Sequence, residues 1–480
     1  MLTALTPPMA HSSFSTEENS RCVDSLLQPP SSTDAKAGSI ARTTSASTHH
    51  NEQFVVTERV YTQQYAGIYF TRLNKLRPRT FAAAKERWGS RAAGKAEPPP
   101  AVPRVLDVRP GQVCYIVGTV YIEMPLKPSI LDEVTKEHWI VAPPPREKYK
   151  SDLDQVVLED ESGRVSLTGA ILKTTMLVTG IIIAVLGCEN AEGKFEVIDI
   201  CYSAAKPQPP LPSLSEDKYV AFVSGLNIGG GNDGLHHEIL VDFLTGELGT
   251  PKDQERSASI VRLVVAGNSV EKLKQSDDEK KMHRNRYGAE TATFNAEPLR
   301  MLDTLLASLC HSLSIDILPG DADPANCSLP QQPLHPALFP TASKYNTLNC
   351  VTNPSALDVD GLMVLVTSGQ TLDDVFRFVE TEDRLEMACC TMTWAHLAPT
   401  APDTLWCHPY KDEDPFVINS RPHIYVVGNQ PSYATKLIDD EKYGTTRVVL
   451  VPPFATSKTL VLVNLRTLEA VPMVFGTASA

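Results

Sequence analysis

The stretch Lys218–Asn268 reads KYVAFVSGLNIGGGNDGLHHEILVDFLTGELGTPKDQERSASIVRLVVAGN. Tyr219 to Val223 is a short apolar run of strand formers, as expected of a strand buried on both faces. A glycine-rich loop, Ser224 to Gly231, follows. Leu235, Ile239, Leu240, Phe243 and Leu244 then recur at helical spacing, and Gly249 and Pro251 stand as stop signals. Ile260 to Ala266 is a second buried strand, ending at Gly267-Asn268. A parallel pair needs such a crossover, which is almost always right-handed. Open α/β sheets place ligands beyond the carboxyl ends of their strands, so those loops are where chemistry is sought.

The alternation continues downstream. Leu299, Leu302, Leu305, Leu306 and Leu309 predict a helix opening at Pro298, and Ile315 to Leu318 a third strand. The C-terminal third adds a hairpin at Asp360-Gly361, helices between Thr371 and Trp394, strands at His423–Val427 and Arg447–Val451, and a strand pair around Asn464–Leu468. This is an α/β domain with helices flanking mixed sheets.

Upstream the pattern is all-β. Val113–Ile122, the hairpin of Val156–Leu158 with Val165–Leu167 about Asp160–Gly163, Leu177–Leu186 broken by Gly180, and Phe195–Ile200 give five or so strands in about 100 residues. That rhythm suits a small Greek-key barrel of the OB type. Such barrels often bind single strands, but residues 151–200 carry nine acids against three bases, which repels phosphate. The expected organisation is a disordered tail over 1–52, a helical segment and linker over 53–100, the barrel over 101–210 and the α/β domain over 211–480.

The tail is rich in Ser, Thr, Ala and Pro and short of large apolar groups, so it cannot offset its ordering entropy. Val56, Val60, Tyr65, Ile68, Tyr69, Leu73 and Leu76 predict a helix. Residues 71–95 hold eight Lys or Arg against one Glu. With no aromatic platform beside them, these charges read as a solvated face or a site for an acidic protein partner rather than a DNA contact. Residues 271–297 read as an exposed charged loop.

With 42% hydrophobic and 21% charged residues, the 480-residue chain is of ordinary soluble composition, and its net charge of -13 argues against nucleic-acid binding over the whole surface. The ten cysteines include no C-x-x-C pair, which suits reduced thiols of a cytosolic or nuclear protein. Met1–Ser20 has no secretory h-region, and Met176–Cys188 is too short to cross a bilayer. Gly229-x-Gly231-x-x-Gly234 matches the dinucleotide fingerprint by letter, but no acid follows the next strand to hold a ribose. A surface loop is the reading.

The strand-end loops Gly225-Leu226-Asn227, Gly267-Asn268, Gly320–Asp323, Asn353-Pro354 and Gly428–Pro431 are laid out in a way that resembles the calcineurin-like metallophosphoesterases. That resemblance places Gly225 and Asn227 at the Asp-x-His positions and Asn268 at the second aspartate. Asp321 and Ala322 replace an Asn-His pair, Asp323 keeps the acid, Asn353 stands for a lone histidine, and Asn429 and Pro431 for the last two. A two-metal phosphoesterase needs several carboxylates and imidazoles. Asn lends only a carbonyl oxygen, and Gly, Ala and Pro side chains lend nothing. Asp321 and Asp323 remain, two carboxylates on one loop. The expectation is no catalytic, cofactor-binding or metal residue, no cofactor, and no enzymatic activity.

A barrel before a silenced phosphoesterase domain resembles the B-subunit family of replicative DNA polymerases, and within it the delta branch. The stretches Leu329–Pro336, Ala398–Leu405, Met124–Leu131 and Tyr65–Tyr69 carry the match. The resemblance implies a nuclear, non-catalytic scaffold in DNA replication and repair. It implies contact with the C-terminal domain of the polymerase delta catalytic subunit and with a third polymerase delta subunit that reaches the sliding clamp. DNA would be met mainly through the complex, with no membrane. Two other readings stand beside it, an active metal-dependent phosphodiesterase or nuclease on the same fold, and a single-stranded-DNA-binding barrel.

Overall fold

The protein is described by a computed structural model covering residues 40–60, 62, 64–89, 98–127, 146–203, 205–231, 234–272 and 296–475. Most of the expected tail and of the charged loop at 271–297 lies outside the described residues.

The first strand, β1 (Ser47–His49), was not expected. It pairs antiparallel with β11 (Ser355–Val359). The segment leading into it is tied down as well. Arg42 donates to the carbonyls of Leu244, Ser257 and Ile260, and Thr43 N to Ala258 O. Asn51 Oδ1 then accepts from Ala356 N. The expectation of disorder over 1–52 is therefore corrected for 40–52. The segment has no core of its own, but it supplies donors and acceptors to an edge and to helix ends that would otherwise be left open.

The helix Gly67–Gly89 starts later than its apolar spacing suggested, since residues 55–57 are irregular and Val55 and Val60 are exposed. Its buried face, with Leu73, Leu76, Ala84 and Trp88, packs on Tyr115, Val117, Ile182 and Ala184 of the barrel. Two of its arginines face acids of this same chain. Arg77 pairs with Asp160 and Glu161, and Arg87 with Asp199. Lys85 is exposed, in keeping with the expected solvated face, and Arg91 and Lys95 lie outside the described residues.

The barrel closes in the order β2 (Cys114–Glu123), β3 (Gln155–Glu159), β4 (Arg164–Thr168), β6 (Phe195–Tyr202), β5 (Ile182–Glu189). Ile116, Val120, Leu158, Ile183, Val185 and Phe195 fill it. β5 begins after Gly180 rather than running through it. Gly180 has φ +94°, and a Cβ there would lie 2.0 Å from Pro399 O, so the backbone turns and touches the neighbouring domain at that point.

Two six-stranded sheets follow. One has the order β10 (Leu348–Cys350), β9 (Ser314–Leu318), β8 (Ile260–Ala266), β7 (Tyr219–Val223), β16 (Thr459–Asn464), β17 (Ala470–Val474). The other is β1, β11, β12 (Leu362–Thr367), β13 (Ile424–Val427), β15 (Gly444–Leu450), β14 (Ala434–Asp440). Val220, Phe222 and Val264 of the first meet Val364, Val366, Val426 and Val449 of the second in one core. The helices Gly234–Thr245 and Ala296–Cys310 cover the outer face of the first sheet. Gln370–Arg377, Arg384–Thr393 and the barrel cover the other. Pro251, expected as a stop, opens a further helix, Pro251–Ala258, with a Thr250–Asp253 capping box.

One arginine joins these parts. Arg72, fully buried, donates from Nε to Asp414 Oδ2 (2.7 Å), from Nη1 to Gly180 O (3.0 Å) and Pro399 O (2.8 Å), and from Nη2 to Ala401 O (2.7 Å). Asp414 also accepts from His396 Nε2 (2.8 Å) and from Phe416 N (3.0 Å). Burial works against ionisation of Asp414, but the His396 ring and the Arg72 guanidinium hold its carboxyl well below the usual range. Burial first, then Arg72, pushes His396 down to about 4, so its ring is neutral near pH 7.

Removing one partner of a buried pair leaves the other uncompensated, so Arg72→Ala should cost about 3–5 kcal/mol in denaturant unfolding. Deleting residues 1–50 should lower stability by about 2–4 kcal/mol relative to deleting 1–39, through the lost Arg42 and β1 hydrogen bonds. Equal melting of the two truncations would refute the role given to the strap.

Candidate functional site at the strand ends

The carboxyl ends of β7, β8, β9, β12 and β13 converge, and the loops expected to carry chemistry meet there. Gly225 N donates to Gly267 O and Asn227 N to Asn268 O, which joins the first two loops by their backbones. Asn227, Asn268 and Asn429 all sit at positive φ, 48°, 55° and 56°. Asparagine tolerates that left-handed turn better than most side chains, which is a structural reason for its presence at three strand ends. Gly225, at φ +58°, has no room for a side chain, since a Cβ would lie 2.6 Å from Pro453 Cβ and 2.8 Å from Asn429 Oδ1.

Side-chain amides link the two sheets here. Asn429 Nδ2 donates to Ala266 O (3.0 Å) in one sheet and to Ser368 O (2.8 Å) beyond the end of the other. Asn353, 2% exposed, lies within 2.8 Å of Gln331 Oε1, 2.6 Å of Ser368 Oγ and 2.7 Å of Gln370 Oε1 through its Nδ2, and its Oδ1 accepts from Ser368 N. Gln331 Nε2 in turn donates to Gly320 O and Asn326 O. Sequence reasoning missed Gln331, Ser368 and Gln370. The available signal was that Ser368-Gly369-Gln370 directly follows a strand, and that Gln331 lies within the Leu329–Pro336 stretch.

The two carboxylates part company. Asp321 is exposed and pairs with Lys272 at 2.9 Å. Asp323 is buried and accepts from Ser269 N (2.7 Å), Gly320 N (2.8 Å) and Val270 N (3.2 Å). Burial pushes its carboxyl up to about 6, against the pull of those amides. Asp323 is thus a brace for two loops. Ala322 contributes its N–H, to Asn268 Oδ1, and Pro431 is exposed. Among the described residues no three His, Cys, Asp or Glu side chains group as metal ligands would. The arrangement holds loops together, and its polar atoms are mostly engaged with one another. The buried Asn429 Oδ1 is an exception, having no partner.

Gly229 to Gly231, the end of the glycine-rich loop before Gly234–Thr245, share none of these contacts. No helix among the described residues is long and apolar enough to cross a membrane.

Known proteins resemble this chain over both of its folded parts. A family model for the B-subunit of DNA polymerase alpha/epsilon matches residues 220–435, and one described as DNA polymerase delta subunit OB-fold domain matches residues 64–200. The DNA polymerase delta small subunit of Oryza sativa subsp. japonica is 42% identical over 422 residues, 88% of this chain and 95% of its own. That of Saccharomyces cerevisiae is 34% identical over 457 residues, covering 87% and 90%. DNA polymerase delta subunit 2 of Drosophila melanogaster is 36% identical over 419 residues, covering 85% and 92%.

Asp323→Asn should cost about 1–3 kcal/mol, because an amide group cannot accept from all three N–H donors, while Asp321→Asn should change stability by less than about 0.5 kcal/mol. The sign with pH follows from the raised carboxyl. A group protonated more readily when folded contributes stability at low pH that is lost as pH rises from its unfolded value through about 6. The stability gap between wild type and Asp323→Asn should therefore be wider at pH 4 than at pH 7. A gap that widens toward pH 7 would contradict this assignment.

Proposed function

The chain belongs to the family of DNA polymerase delta small subunits, and we propose that it is a non-catalytic scaffold of a replicative polymerase. It comprises an OB barrel and, over roughly 211–480, a calcineurin-like domain whose metal site has been lost. In this reading it works in the nucleus. It holds the C-terminal domain of the catalytic chain and a third subunit that extends to the sliding clamp, and it meets DNA through the assembly.

The observation that carries the reading is the amide network at the strand ends. In a two-metal hydrolase those positions supply charge to bind ions and acidify water. Here Asn429 and Asn353 use their donors on neighbouring loops, and Asp323 uses its carboxylate on backbone amides. Gly225 has no space to regain a side chain. The engaged arginines of Gly67–Gly89 weigh against the barrel side as a single-strand site, since Arg77 and Arg87 are held by acids.

Two measurements test this. Co-expression with the polymerase delta catalytic chain should yield a complex stable to gel filtration. The purified chain should release no nucleotide from DNA with manganese. Hydrolysis by wild type that vanishes in Asp321→Asn/Asp323→Asn would establish the nuclease reading instead.

A further inference from the structure

The two sheets end in four outer strands, and three of them are blunted in the ways edges usually are. β1 and β10 have three residues each, and β17 contains Pro472. The fourth, β14, runs seven residues without proline, and no strand pairs with its outer side among the described residues. Its charged side chains do not guard that edge, because they are engaged within the chain. Lys436 pairs with Glu386 (2.9 Å), Asp439 Oδ1 accepts from Thr445 Oγ1 (2.7 Å), and Asp440 Oδ1 accepts from the amides of Lys442 and Tyr443.

The end of β14 opens into a cleft of about 610 Å³ between the α/β domain, the barrel strand β6 and the helix Gly67–Gly89. Arg421 lines it. This arginine is 8% exposed, yet its Nε has no partner and its Nη1 reaches Asp440 Oδ2 only at 3.5 Å. Its guanidinium lies over the Tyr443 ring at 5.5 Å. Arg87 and Lys442 also line the cleft, paired within the chain with Asp199 and Glu86, which leaves Arg421 as the cation there with an unmet donor. A buried guanidinium with an unmet donor is costly unless an anion completes it.

We infer that this edge and cleft receive an extended segment of a partner protein chain, which adds to β14 as a further strand and sets an Asp or Glu carboxylate against Arg421. The inference rests on the scaffold reading and says where one partner is held. Strand addition draws affinity from main-chain hydrogen bonds and specificity from the side chains at its ends. A second copy of this chain fits less well. Paired about a two-fold axis it would run antiparallel and bring Ala434 and Thr435, not an acid, to the Arg421 end.

The test is hydrogen exchange read by mass spectrometry on the full-length chain, alone and in the assembly that forms on co-expression with the polymerase catalytic chain and the other subunits. The amides of residues 434–440 should exchange at least about tenfold more slowly in the assembly. A carbodiimide should join a partner carboxylate to Lys442, in competition with Glu86, which pairs with that amine within the chain. Arg421→Gln should make the partner dissociate roughly tenfold faster, and if that variant does not fold, the exchange and cross-linking on wild type still decide. Unchanged exchange of β14 in an intact assembly would overturn this inference and leave the scaffold reading standing, whereas failure of any assembly to form would overturn both. Protection that grows with the concentration of the free chain, or that disappears on nuclease treatment, would assign the edge to a second copy or to nucleic acid and would also overturn it.

Discussion

The joint between the barrel, the helix Gly67–Gly89 and the α/β domain depends on the buried charge of Arg72. A guanidinium removed from water must have its N–H groups matched, and the four acceptors that match it come from Asp414, Gly180, Pro399 and Ala401. Those residues belong to the barrel and to the α/β domain, while Arg72 belongs to the helix between them. The charge can be satisfied only when all three are in place, so it acts as a coincidence requirement on their relative position. Asp414 is itself completed by a neutral His396 and the Phe416 amide.

A rigid joint of this kind suits a protein whose work is to hold others. The strand-end loops follow the same economy. Asparagine stands at positive φ at three of their turns. The side chains of Asn268 and Asn429 bond across to neighbouring loops. The result is an amide network that joins two sheets, and a network in which nearly every member is satisfied rigidifies what it joins.

Charge is handled the same way over the surface of the helix Gly67–Gly89. Its arginines face Asp160, Glu161 and Asp199, which also accounts for part of the barrel's acid excess. The two imbalances noticed separately along the chain offset each other in part where the helix lies on the barrel. Arg421 is held less completely, since it reaches Asp440 at 3.5 Å and its buried Nε has no partner.

Local pattern was enough to place most elements. The apolar runs at Tyr219–Val223 and Ile260–Ala266, the Asp160–Gly163 turn and the helical repeat at 299–309 each state their structure within a dozen residues, because side-chain period and turn chemistry are local properties. The absence of imidazole and the scarcity of carboxylate at the strand ends are likewise legible from residue identity alone. Pairing across long separations is not. Arg72 and Asp414 stand 342 residues apart, Ser269 and Asp323 54, and Arg42 and Leu244 202. The strap at 40–52 looked disordered because its composition holds no core, yet it is ordered by hydrogen bonds to edges and helix ends formed elsewhere. Sequence determined which groups must find partners, and only the tertiary structure decided which partners they found, since a hydrogen bond or ion pair depends on position in space and leaves no periodic trace along the chain.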